Sequence, residues 1–368
     1  MKVIMTGGGT GGHIYPAIAI ADKIKKEQPD AEILFVGTRK GLEKDLVPQN
    51  GYPIEFITVS GFYRKKLLKN VKTMRDLAKG NKEAKEILNR FRPDVVIGTG
   101  GYVCGPMVRA AAKRGIPTYI HEQNALPGIT NRMLEKYVKK VFLAFADGAS
   151  YFKQQDKLMV TGNPVRKNFF RADRETSRNA LGIPEDSFVL MSFGGSQGAG
   201  KINDVMLASL AEFQKRKNMF VVFATGKYYY YSVCEEIKRQ SLVTGDTVRV
   251  IEYIDNMPQY LAASDLVVSR AGALTISEIT AIGRAAILVP SPNVTGNHQY
   301  YNAKSVSDAG GAILIEDRDF TEEYLKKQVF ELMADRKKLA ALEYSSKNAA
   351  QGDAADLIYR EIAKEVFQ

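Results

Sequence analysis

Thirteen short apolar runs, rich in β-branched and aromatic residues, alternate along the chain with longer stretches patterned as helices. In the first half they are KVIM, EILFVG, IEFITV, VVIG, PTYIH, KVFLAF and KLMVTG; in the second, FVLMSFGG, FVVFATG, VRVIEY, LVVS, AILVP and AILIE. These runs are nearly continuous in apolar residues, whereas a strand with one wet face would alternate. That is the mark of parallel strands covered on both sides by helices. The pattern predicts an α/β chain of two doubly wound, Rossmann-like domains. The break is placed in TGNPVRKNF, residues 161–169, where Gly162, Asn163 and Pro164 interrupt the alternation, giving domains 1–163 and 164–349. Open sheets of this kind bind ligands beyond the carboxyl ends of their strands, so the loops directly after strands come first.

Several of those loops are rich in glycine. TGGGTGGHIYP, residues 6–16, follows the first strand, and its Gly7, Gly9 and Gly12 have the G-x-G-x-x-G spacing. Such spacing lets backbone approach a diphosphate at a helix N-terminus, whose partial positive charge favours an anion by about 0.3 to 2 kcal/mol. GTGGYVCGP (98–106) ends another strand of the first half; GGSQGAGK (194–201) and SRAGALTISE (269–278) end two strands of the second. Corresponding glycine loops in both halves suggest two phosphorylated ligands, one held by each domain. A nicotinamide enzyme is the rival reading. The second strand ends Val36-Gly37-Thr38-Arg39, without the acidic residue that holds a ribose diol, although Arg39 could face a 2′-phosphate.

Composition narrows the class. The chain has 368 residues, two cysteines and no CxxC, which excludes a disulfide framework or zinc ribbon and fits a reducing compartment. The uncharged run Val3–Ala21 contains five glycines, a histidine and a proline, so it is neither a membrane span nor a signal-peptide core. The net charge of +11 is uneven: residues 1–160 carry 27 Lys+Arg against 15 Asp+Glu, whereas the remainder carries 25 against 26. An excess confined to the first half points to an anionic surface there, nucleic acid or lipid. The three histidines, His13, His121 and His298, lack metal-ligand spacing. Asp317-Arg318-Asp319 reads as a turn before a helix rather than a metal–diphosphate site. His13, at the start of a helix beside a phosphate loop, is the candidate general base.

Taken together, TGGGTGGHIYPAIAIA, GTGGYVCGP, HEQNALPGITNR, TGNPVR, GGSQGA, SRAGALTISE and NHQYYNA resemble the N-acetylglucosaminyltransferases of peptidoglycan synthesis that make lipid II. The likeness runs in order and spacing from residue 1 to about residue 310. It implies the GT-B fold, a C-terminal helix at about 350–368 returning to the first domain, no cofactor, no catalytic metal, and inversion at the anomeric carbon. It also implies UDP-N-acetylglucosamine as donor, a lipid I acceptor, and a place on the cytoplasmic face of a bacterial membrane.

By matching motif, the resemblance gives the donor the Ile254 backbone at uracil, Glu278 at the ribose hydroxyls, and Ser196, Ala273, Leu274, Thr275 and Ser277 around the diphosphate. Arg166 neutralises charge there, Asn124 and Gln299 meet sugar hydroxyls, and Thr10, Gly11 and Gly12 close from the first domain. His298 stands where a second glutamine is common, which leaves the sharing of the sugar hydroxyls open. The acceptor's pyrophosphate falls to Gly9, Gly100, Gly101 and Tyr102, with His121 and Glu122 nearby as alternative bases. GFYRKKLLKNVKTMR, residues 61–75, suits either of two surfaces. As a membrane contact it would use Phe62, Tyr63, Lys65, Lys66 and Lys69; a nucleic-acid role, the lesser alternative, would need such aromatics interleaved with cations on an exposed face. Leu67, Leu68, Val71, Met74 and Leu77 recur at helical spacing and are expected to form that helix's buried face.

Overall fold

The computed structural model describes residues 1–61, 70–245 and 247–366. All thirteen apolar runs are strands: β1 Lys2–Gly7, β2 Glu32–Gly37, β3 Ile54–Phe56, β4 Val95–Gly100, β5 Thr118–Glu122, β6 Lys140–Leu143, β7 Leu158–Val160, β8 Phe188–Phe193, β9 Met219–Ala224, β10 Val248–Ile251, β11 Leu266–Ser269, β12 Ala285–Leu288 and β13 Ile313–Leu314. They form two sheets, ordered β3-β2-β1-β4-β5-β6-β7 and β10-β9-β8-β11-β12-β13, and their pairings are parallel. Each order reverses once, between β1 and β4 in the first sheet and between β8 and β11 in the second. Those are the switch points where loops part and a ligand can enter. All four glycine loops singled out in the sequence leave from these four strands.

The first compact unit is Met1–Val165 with Gln351–Gln368, and the second is Arg166–Ala350. The chain therefore divides two residues after the sequence-based boundary. Residues 164 and 165 thus go with the first unit, next to Asn163, whose side-chain amide donates to the Gln123 carbonyl at 3.2 Å. In the first unit, Val3, Met5, Ile14, Ile18 and Phe35 pack on one face of the sheet, and Ile4, Val96, Met107, Val108 and Ile120 on the other. The terminal helix Ala354–Val366 joins the former cluster through Ile358 and Ile362, which are buried. Its Asp356 pairs with Lys23 at 2.6 Å, and its Glu365 accepts from the Tyr119 hydroxyl at 3.1 Å. In the second unit Phe188, Leu190, Phe213, Phe223, Val268 and Ile287 belong to one core.

One expected helix face differs at Val71 and Met74. The helix Asn70–Phe91 buries Thr73, Gly80, Ala84, Ile87 and Leu88 and leaves Leu77 half-buried. Val71 and Met74 are 59% and 57% exposed, so they do not form its buried face. Contacts specific to this helix decide the rotation. The Thr73 hydroxyl donates to the Gly61 carbonyl at 3.2 Å, and a Cβ at Gly80 would lie 2.4 Å from the Thr58 carbonyl oxygen, so only glycine admits that approach. Phe62, Tyr63, Lys65, Lys66, Lys69, Leu67 and Leu68 lie outside the described residues. No helix among the described residues is long and apolar enough to cross a membrane.

Candidate active site

The first loop turns directly into the helix Gly11–Glu27, whose N-cap, Thr10, makes no side-chain capping bond. That leaves the helix N-terminus presenting backbone N–H groups with their partial positive charge, a site suited to phosphate. The loop after β4 interlocks with it. Gly8 N–H donates to the Gly100 carbonyl at 3.3 Å, and the Thr99 hydroxyl donates to the His13 carbonyl at 2.8 Å. Gly101, at φ +86°, is indispensable, since a Cβ there would sit 2.5 Å from the Gly8 carbonyl oxygen. Cys104 ties the same loop down: its buried thiol accepts from Gly100 N–H at 3.1 Å and donates to the Thr6 carbonyl at 3.0 Å. Burial pushes that thiol up to about 12, so it is an inert fastening rather than a nucleophile. Gly9, Thr10 and Gly12 are exposed, as is Tyr102 at the mouth of the β4 loop.

His13 is on the first turn of this helix, partly exposed. Its Nδ1 lies 2.9 Å from the Gly8 carbonyl oxygen, which can only accept. Nδ1 therefore carries the proton, and the other nitrogen, Nε2, is the one with a lone pair to offer. Nε2 lies over Gly100, where an added Cβ would come within 2.9 Å of it.

His121 and Glu122 differ from their sequence-based reading as acceptor contacts or bases. Both lie within β5 and are buried. His121 donates from Nε2 to the Gly162 carbonyl at 3.0 Å and accepts at Nδ1 from the Gln123 amide at 2.9 Å, which commits both nitrogens. Burial pushes its pKa down to about 4, only partly offset by the bond to Gly162. The Glu122 carboxylate accepts from the backbone N–H groups of Asn124 and Gly128, each at 3.0 Å, and from the Asn131 amide at 2.9 Å. It is a strut for the 123–131 loop that carries Asn124, which is half-buried.

In the second unit the loop after β8 turns through Gly195 and Gly198, at φ +89° and +87°. Ser196 is exposed on it, and its carbonyl accepts from Lys227 N–H at 3.1 Å. The loop after β11 leads into the helix Ala273–Ile282, whose N-cap Gly272 has no side chain to satisfy the first N–H groups. Leu274, Thr275, Ser277 and Glu278 are partly exposed on it, and Ala273 is buried. Burial pushes the Glu278 carboxyl up to about 7, and the Arg166 guanidinium pulls it partly back. Arg166 itself is exposed, its guanidinium 5.4 Å from the centre of the Phe169 ring. Ile254 is buried just beyond β10. Gln299 is half-buried, and its amide oxygen accepts from Ser291 N–H at 2.9 Å. Asp317 and Asp319 lie in a turn ahead of the helix Glu322–Ala334. Asp317 pairs with Arg270, which also donates to the carbonyls of Val289 and Pro290 and so clamps the loop after β12. Arg270, and Glu43, whose buried carboxylate accepts from Gly9 N–H at 2.8 Å in the first loop, are site-building residues that sequence reasoning passed over.

Comparison with known proteins gives this geometry a family. Residues 3–143 match the glycosyltransferase family 28 N-terminal domain, and residues 189–358 match the corresponding C-terminal domain. A UDP-N-acetylglucosamine--N-acetylmuramyl-(pentapeptide) pyrophosphoryl-undecaprenol N-acetylglucosamine transferase of Thermoanaerobacter sp. (strain X514) is 47% identical over 360 residues, covering 98% of each chain. The like-named enzyme of Acetivibrio thermocellus is 42% identical over 100% of this chain and 99% of its own. The crystal structure of Acinetobacter baumannii MurG superposes with a TM-score of 0.80 at 27% identity, covering 99% of both chains. The two parallel Rossmann-like sheets are those of the GT-B fold, and the chain belongs to glycosyltransferase family 28, among its UDP-N-acetylglucosamine–N-acetylmuramyl-(pentapeptide) pyrophosphoryl-undecaprenol N-acetylglucosamine transferases.

Proposed function

We propose that the protein is an inverting hexosyltransferase that moves N-acetylglucosamine from UDP-N-acetylglucosamine to undecaprenyl-pyrophosphoryl-N-acetylmuramyl-pentapeptide, converting lipid I to lipid II in peptidoglycan synthesis. The first unit takes the acceptor. Its pyrophosphate meets the open N-terminus of the helix Gly11–Glu27, Gly9, and the Gly100-Gly101-Tyr102 turn. The second unit takes the donor, with uracil at the Ile254 backbone and ribose at Glu278. The diphosphate lies at Ser196 and the Ala273-Leu274-Thr275 helix start, with Ser277 beside it and Arg166 supplying charge; Gln299 meets the sugar.

The observation that carries the catalytic reading is the bond from His13 Nδ1 to the Gly8 carbonyl at 2.9 Å. An acceptor hydroxyl becomes an adequate nucleophile only as its proton leaves, and Nε2, the ring nitrogen not committed to Gly8, is the group that receives it. As the hydroxyl oxygen attacks the anomeric carbon from the face opposite UDP, the bond to the diphosphate breaks and configuration inverts. Negative charge growing on UDP is met by the helix N-terminus and Arg166. His13→Ala should lower turnover by about 10² to 10⁴ while leaving UDP-N-acetylglucosamine affinity within a few-fold, since proton transfer belongs to the transition state. Undiminished turnover in that variant would remove His13 as the base.

The same reading puts the protein on the cytoplasmic face of the membrane, where a lipid-linked acceptor must be collected, with the first unit against anionic lipid. Exposed Val71 and Met74 beside the cationic run of residues 64–75 support that contact.

A further inference from the structure

We propose that Glu43 is the positioning residue for His13, acting through the single peptide that joins Gly8 to Gly9. The carbonyl of that peptide accepts from His13 Nδ1 at 2.9 Å, and its N–H donates to Glu43 Oε2 at 2.8 Å. Carboxylate, peptide and imidazole thus form one hydrogen-bonded line. A negative acceptor on the N–H end polarises the amide and makes its carbonyl a better partner for Nδ1–H, because chains of hydrogen bonds strengthen one another. The result is to hold His13 in the tautomer with Nε2 free.

The chain has built a chamber for this carboxylate. Glu43 is fully buried, and its other oxygen accepts from Thr38 N–H at 2.8 Å and from the Thr38 hydroxyl at 2.7 Å. A Cβ at Gly8 would fall 2.5 Å from Oε1, one at Gly41 2.0 Å from Oε2, and one at Gly37 2.5 Å from Cγ. Gly8, in the phosphate loop, Gly37, at the end of β2, and Gly41, in the loop that follows it, therefore line the space that the Glu43 side chain occupies. In a dinucleotide-binding sheet the acidic residue after the second strand faces a ribose; here the acid after β2 is turned inward and spent on the glycine loop. Burying a carboxylate is costly unless its oxygens are satisfied, and the partner it satisfies is the peptide that orients the base. The structural link stands by itself; only its kinetic consequence rests on His13 being the base.

Glu43→Gln tests it. An amide can keep the two Thr38 bonds with its oxygen but then turns NH₂ toward Gly9 N–H, donor against donor. In the ¹⁵N-histidine NMR spectrum of the full chain, with signals assigned by single-histidine variants, His13 should be Nδ1–H in the parent. It should redistribute toward Nε2–H in Glu43→Gln. Turnover should fall by about tenfold to a hundredfold, part of what a positioned base supplies, with UDP-N-acetylglucosamine affinity held within about twofold. In a His13→Ala background the same substitution should cost less than about twofold. If Glu43→Gln lowers the melting temperature too far to assay, Glu43→Asp keeps the charge but is one methylene short of Gly9 N–H, and it should move the tautomer the same way. An unchanged His13 tautomer in folded Glu43→Gln, or an equal loss of turnover with and without His13, would overturn the proposal. Full turnover in His13→Ala together with a tautomer shift in Glu43→Gln would instead retire the base and leave the positioning link intact.

Discussion

Glu278 should make donor binding depend on pH in the neutral range. Burial raises its carboxyl from the usual 4.5 to about 7, against the pull of Arg166, and only the carboxylate accepts fully from two ribose hydroxyls. If the ionised form alone binds well, the apparent Kd scales as 1 + 10^(7 − pH), which falls about tenfold between pH 6 and pH 8, or about 1.4 kcal/mol. UDP-N-acetylglucosamine is the right probe, since its diphosphate is esterified at both ends and has no ionisation in this window. Calorimetric titrations across that range should show affinity rising with pH in the parent and flat, weak binding in Glu278→Gln. Stability moves the opposite way. The folded pKa exceeds the unfolded one, so between about 4.5 and 7 the folded state binds more protons and stability declines as pH rises, by an upper bound on the order of 3 kcal/mol. Glu278→Gln should therefore melt higher than the parent at pH 8 and level with it at pH 5. Equal pH dependence of affinity in both proteins, or a variant less stable at pH 8, would refute the reasoning.

Gly101→Ala adds a Cβ 2.5 Å from the Gly8 carbonyl at a φ of +86°, and should cost about 1 to 3 kcal/mol of stability and raise the acceptor KM while sparing donor affinity; an unchanged acceptor KM would detach that turn from the acceptor site. Ile358→Ala, at a fully buried position of the returning helix, should cost about 2 to 5 kcal/mol in urea titrations, and a loss below about 0.5 would mean the helix is not part of that core. Val71→Ser with Met74→Ser should leave the melting temperature unchanged, because both side chains are exposed, yet weaken sedimentation with anionic vesicles several-fold at low salt. Undiminished sedimentation would separate this helix from the membrane contact.

The fold was legible because its inner strands are buried on both faces, so that EILFVG or FVVFAT reads as an unbroken apolar run without any knowledge of its partners. The four glycine loops were legible for a related reason: each is local, and each leaves a strand at a switch point of the sheet. What escaped was set by contacts distant in sequence. Glu43 meets Gly9 across 34 residues, and an acidic residue at the start of LEKDLVPQ looks like an ordinary solvated helix terminus. His121 and Glu122 looked like ligands by type, although their place at the end of the buried strand PTYIHE was the signal that they are internal fastenings. Val71 and Met74 fit a buried helical stripe by spacing, but the close approach at Gly80 sets the helix so that Thr73, Gly80, Ala84, Ile87 and Leu88 face inward and those two do not.

The most direct measurement is transfer of labelled sugar from UDP-N-acetylglucosamine to a lipid I analogue, with the anomeric configuration of the product read by NMR. The label should appear in the lipid-linked disaccharide with inverted configuration and one UDP released per transfer, and UDP-glucose and UDP-N-acetylgalactosamine should compete poorly. Release of UDP without a disaccharide product, retention of configuration, or equal use of the three sugars would contradict the account.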